Sequence, residues 1–88
     1  MNKDSGLRRQ NLVGFLKSQV QAYKDNPEMG EQIAYSIVGM MSDDFVRSLP
    51  DDDPCMQIME MAGELELPAE HRSDSANWDN LIQKIEDL

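Results

Sequence analysis

Four stretches of the sequence repeat apolar residues at the three- and four-residue spacing of an amphipathic helix, and none alternates as a strand does. In the first stretch the apolar residues fall within one arc of a helical wheel, which predicts a helix over residues 6–24: Leu12, Val13, Leu16, Val20 and Tyr23. Asn26 is a suitable N-cap and Pro27 a suitable first residue, since proline lacks the amide hydrogen that this position leaves free. A second helix is therefore predicted to begin at residue 27.

This second helix is predicted to run to residue 48 and to be the central one, because its apolar residues cover about half of the wheel. They are Met29, Ile33, Ala34, Ile37, Val38, Met40, Met41 and Phe45. The segment 42–44, Ser-Asp-Asp, also has the composition of a new N-cap and an acidic first turn. We favour one continuous helix, because Phe45 stays in register with the apolar residues before that segment. Pro50 then ends it.

A third helix is predicted over residues 54–66, with Asp53 as N-cap and Pro54 as first residue. Its predicted core face consists of Cys55, Ile58, Met61, Ala62 and Leu65. The last helix, predicted over residues 75–88, is capped by Asp74 or Ser75. Its apolar stripe consists of Trp78, Leu81, Ile82, Ile85 and Leu88, and we expect the Trp78 ring to be buried against the first or second helix.

The sequence therefore predicts an all-α protein, either a small four-helix bundle or an irregular four-helix fold. At 88 residues the chain has the length of a single helical domain, 1–88, in which residues 1–5 are candidates for disorder.

Charge is divided unevenly along the chain. Residues 1–24 carry five basic side chains and one acid, a net of +4, whereas residues 25–88 carry sixteen acids and three basic side chains, a net of −13. The overall net charge is −9. Such a strong negative charge opposes binding to phosphate backbones, and the basic residues of the first helix do not line one stripe. We therefore expect no direct contact with nucleic acid.

The single cysteine, Cys55, cannot form an internal disulfide, which favours a reducing compartment. No run of residues is long and apolar enough to span a bilayer, and the N-terminus has no apolar segment typical of a signal peptide. These observations predict a cytoplasmic protein without membrane contact.

No catalytic, cofactor or metal motif is recognisable in the sequence. His71, the only histidine, lies in a polar stretch and is interpreted as a solvated loop residue. Cys55 lies on an apolar helix face and is interpreted as a buried structural thiol. A calcium loop starting at Asp51 would need glycine at the sixth place and glutamate at the twelfth, where the sequence has Met56 and Ala62. We therefore expect neither enzyme activity nor a cofactor.

Acidic residues are concentrated between the end of the second helix and the outer stripe of the third. We predict that these seven carboxylates bind a partner: Asp43, Asp44, Asp51, Asp52, Asp53, Glu60 and Glu64. Helix capping explains some of them, but like charges one turn apart on a helix slightly oppose folding. A negative face that opposes folding is a candidate docking surface.

Two classes of function follow from these features. In the first, the protein binds a basic protein partner, as nuclease-toxin immunity proteins, antitoxins and inhibitors of nucleic-acid enzymes do. In the second, it is a structural or regulatory helical subunit that associates through apolar surface, either with itself as a homodimer or with a larger enzyme. The seven methionines bear on this choice, because they fill a core or form an adaptable apolar surface.

Overall fold

Helix accounts for all regular secondary structure between residues 3 and 88, the part of the chain that the computed structural model describes, with side chains over residues 6–68 and 70–88. The α-helices are α1 (Lys3–Asp25), α2 (Gly30–Val38), α3 (Asp44–Arg47), α4 (Pro54–Leu65) and α5 (Trp78–Glu86). Short 3-10 turns occupy Pro27–Met29, Gly39–Ser42 and Ala69–His71. The all-α prediction is confirmed. Residues 1–5 were candidates for disorder. Met1 and Asn2 lie outside the described residues, and residues 3–5 form the start of α1.

The predicted second helix is not continuous, and this prediction is wrong. It begins with a 3-10 turn, becomes α2, tightens into a second 3-10 turn and then breaks at Asp43, whose backbone is extended (φ −79°, ψ 129°). The Asp43 carboxylate accepts a hydrogen bond of 2.8 Å from the amide of Phe45 and so caps the separate helix α3. Short polar side chains compete with helical backbone bonding in this way. Phe45 nevertheless packs against the core, so its register was correct although the helix was not continuous.

Two of the predicted caps differ in the structure. Asn26 precedes the Pro27–Met29 turn, but its side chain makes no capping hydrogen bond. Helix α5 begins at Trp78 and is capped by Asn77, whose side chain accepts a 2.9 Å bond from the Asn80 amide. The predicted caps Asp74 and Ser75 lie before it, in the loop. In contrast, Asp53 caps α4 as predicted and accepts a 2.9 Å bond from the Cys55 amide.

Helix α4 packs against α2 and α5, and α1 packs against the same two helices. Of the predicted core face of α4, only Met61 is partly exposed, and Met56 and Met59 are buried as well. The buried face of α4 is wider than predicted because this helix has a neighbour on each side. Val46 of α3 is also buried, although none of the predicted stripes contained it. The other large core side chains come from the predicted stripes of the remaining helices: Leu12, Leu16, Val20, Ile33, Ile37, Leu81 and Ile85.

None of the helices between residues 3 and 88 is both long enough and apolar enough to cross a membrane.

Candidate interaction surface

Two of the seven predicted binding carboxylates flank the break before α3. Asp43 caps that helix through the Phe45 amide. Asp44 forms an ion pair with Arg47 one turn later and is almost fully exposed. Both side chains are therefore engaged locally, and the contribution of an exposed ion pair of this kind to stability is small.

Asp53 has the most extensive contacts of the seven. Beyond capping α4, its two carboxylate oxygens accept hydrogen bonds of 3.0 and 3.1 Å from the two terminal nitrogens of Arg9 in α1. This hydrogen bonding holds the pKa of the Asp53 carboxyl below its ordinary value. Through these bonds Asp53 joins α1 to the start of α4. Its side chain is only 13% exposed, so it has little surface available to a partner.

Glu64 is also engaged within the fold. The side chain is half-buried, and its carboxylate accepts a 3.2 Å bond from the Ser73 hydroxyl and a longer one, 3.5 Å, from the Ser73 amide. It therefore connects α4 to the loop that precedes α5. The other three carboxylates, Asp51, Asp52 and Glu60, are exposed and make no side-chain hydrogen bond or ion pair within the described residues. They are the acids most available to a partner.

The uneven charge distribution of the sequence is partly neutralised in the fold. Arg8 and Asn11 of α1 line a groove together with Asp43 and Asp44, and Arg9 pairs with Asp53. At the other end of α1, Lys24 forms a 3.0 Å ion pair with Glu86 of α5. The basic first helix therefore lies beside parts of the acidic segments, and the surface is less polarised than the sequence indicates.

Of the two residues considered for catalysis, Cys55 lies in the core and His71 lies on the surface. Cys55 is fully buried, and burial raises the pKa of its thiol, which disfavours the reactive thiolate. His71 is 66% exposed, and its nearest carboxylate is that of the adjacent Glu70, 3.8 Å away. The described residues contain no cluster of His, Cys, Asp or Glu suited to a metal ion.

Apolar side chains on the surface bear on the alternative mode of association. Four large ones are exposed in the described part of the chain: Leu7, Met29, Tyr35 and Leu67. Among the methionines described, only Met29 belongs to this group, since the others are buried or packed against the core. The positions of the methionines therefore favour core filling over an adaptable binding surface.

Tyr35 is the most exposed of these four side chains, at 72%. It lies on the outer face of α2 and lines a shallow depression with Glu31, Gln32 and Ser36. Glu31 also borders a second depression that contains Leu67. Tyr35 was not among the residues predicted to bind a partner. Its position outside the apolar stripe of its own helix was the available signal.

Comparisons with protein-family models, with curated proteins and with solved structures found no significant match for this chain.

Proposed function

We propose that this protein binds a basic protein partner and modulates it without catalysing a reaction, in the manner of an immunity protein, antitoxin or inhibitor. The observation that carries the proposal is the set of exposed carboxylates Asp51, Asp52 and Glu60, which have no partner within the described part of the fold. At a net charge of −9, these acids attract a positive surface and accelerate its approach.

The contacts of the other acids narrow the docking surface. Asp43, Asp53 and Glu64 hold α3, α4 and the loop before α5 in place, so they support the surface and contribute less to binding. The four longer helices are proposed to act together as a rigid four-helix framework for it. The single buried thiol of Cys55 suits a reducing compartment, and we propose the cytoplasm.

The experiment compares capture of basic proteins from host lysate by the parent and by the triple variant Asp51→Asn, Asp52→Asn, Glu60→Gln. This variant leaves the capping and pairing acids intact, so we expect unchanged or slightly higher stability. We also expect that capture by the parent weakens between about 0.05 and 0.5 M salt, because screening removes contacts between exposed charges. A triple variant that retains the same partners with the same salt dependence would contradict the proposal.

A second candidate is association through apolar surface, either as a homodimer or as a subunit of a larger enzyme. The exposure of Leu7, at 57%, on α1 and of Tyr35 on α2 favours it. The affinity of an apolar contact stays the same or increases as the salt concentration rises. A homodimer appears in sedimentation as a molecular mass that increases with protein concentration. These two measurements separate the candidates.

A further inference from the structure

Glu31 and Tyr35 form an exposed pair on the outer face of α2. They are four residues apart, so one turn of helix places their side chains next to each other. Both line the same depression, and neither has a side-chain hydrogen bond within the described residues. The opposite face of α2 is fixed by the buried residues Ile33, Ala34 and Ile37. An aromatic ring and a carboxylate are thus presented together on a rigid element.

We propose that Glu31 and Tyr35 bind an arginine side chain of the partner protein, an inference that rests on the proposed function. A guanidinium group is planar and stacks on the face of an aromatic ring, where its charge is attracted by the ring electrons. The same group donates two parallel hydrogen bonds to a carboxylate. Lysine offers a compact ammonium without the planar fork, so the pair selects arginine over lysine.

The surroundings of the pair favour a positively charged occupant. Glu31 also borders a depression that contains Glu66 and Leu67, and Leu67 is 44% exposed. The one cation that lines this depression, Arg72, donates bonds of 2.7 and 2.8 Å to the backbone carbonyls of Leu65 and Leu67. Arg72 keeps its positive charge, but its side chain is held by these carbonyls and forms no ion pair with Glu31 within the described residues. The Glu31 carboxylate is therefore open to an external arginine, and Leu67 provides an apolar contact for the stem of that arginine.

The test is a nuclear magnetic resonance titration of the 15N-labelled protein with two defined probes, a short glycine peptide containing two arginines and a matched peptide containing two lysines. We expect the arginine peptide to shift the amides of residues 31–36 and the ring protons of Tyr35, and to bind severalfold more tightly than the lysine peptide. Tyr35→Ala and Glu31→Gln should each weaken arginine binding by about threefold to tenfold. Tyr35→Phe is the matched control and should retain binding, because it keeps the ring.

Three results would contradict the proposed arginine site at Glu31 and Tyr35. The first is equal binding of the two peptides, which indicates general charge attraction. The second is a titration that shifts Asp51, Asp52 and Glu60 but leaves residues 31–36 unchanged, an outcome that supports the proposed function while removing this site. The third is a dependence of the Tyr35 signals on protein concentration without peptide, which shows that a second copy of the chain covers the face. Circular dichroism of each variant establishes that the fold is retained.

Discussion

The ring of Tyr23 near the end of α1 stacks on the indole of Trp78 at the start of α5, with ring centroids 4.2 Å apart and planes inclined by 14°. Stacked aromatic pairs of this kind contribute about 0.5–1.5 kcal/mol beyond the area that they bury. Gly30, the first residue of α2, lies against both rings. A Cβ atom at this position would be 3.1 Å from the indole nitrogen of Trp78 and 3.2 Å from the Tyr23 ring. Three helices therefore meet at one aromatic contact.

This contact predicts the fluorescence of Trp78, the only tryptophan in the chain. Emission of the native protein should be blue-shifted relative to the unfolded protein, because the half-buried indole is shielded from water by Tyr23. Tyr23→Ala should shift the native emission to longer wavelength, whereas Tyr23→Phe keeps a stacked ring and should leave it nearly unchanged. Native emission equal to that of free tryptophan in water would show that the stack does not form.

The same contact predicts unequal effects for two glycine-to-alanine substitutions. At Gly14, inside α1, an added Cβ meets no other atom within 4 Å, so Gly14→Ala should raise stability by up to about 1 kcal/mol through helix propensity. At Gly30 the added methyl lies 3.1 Å from Trp78 and 3.2 Å from Tyr23, so both rings must shift by a few tenths of an ångström to accept it. Denaturant unfolding should place Gly30→Ala below Gly14→Ala by at least about 1 kcal/mol. Equal effects at the two glycines would indicate that the rings move aside at no cost.

Local signals in the sequence predicted the elements whose ends are determined by neighbouring residues. Asp53 and Pro54 start α4 because an acceptor side chain followed by proline suits a helix N-terminus whatever the rest of the fold. The capping composition of the segment 42–44 indicated the break at Asp43, but hydrophobic register favoured continuity, because register does not distinguish one helix from two that keep the same buried face. Phe45 packs against the core in either case.

Contacts between distant segments could not be predicted, because they depend on how the helices are arranged. Arg9 and Asp53 are 44 residues apart in sequence, and nothing in either local pattern indicates that they meet. For this reason Asp53 was grouped with the carboxylates available to a partner, although most of its side chain is covered. The exposed acids Asp51, Asp52 and Glu60 were predictable from polarity alone, since a loop and an outer helix stripe are exposed in most arrangements of the helices.

The Arg9–Asp53 pair predicts a loss of stability in acid. The folded-state pKa of Asp53 lies below its ordinary value of 3.8 because Arg9 donates two hydrogen bonds to the ionised carboxyl. A lowered carboxyl pKa contributes stability that is complete above the unfolded value and is lost as the pH falls through the folded value. The stability that the pair contributes should therefore begin to fall below about pH 4, where an unperturbed aspartate takes up its proton, and the link between α1 and α4 is weakened fully once Asp53 itself is protonated at lower pH.

Arg9→Met removes this link while leaving Asp53 as the cap of α4. Because Arg9 is 40% exposed, we expect a loss at neutral pH of no more than about 1 kcal/mol, measured by urea unfolding. The decrease in unfolding free energy between pH 6 and pH 3 should be smaller in Arg9→Met than in the parent. Lys24→Met is the matched control, since it breaks the exposed pair with Glu86, and it should follow the pH dependence of the parent. A pH dependence that is the same in all three proteins would mean that Asp53 titrates alike in the folded and unfolded states, and that Arg9 does not stabilise its ionised form.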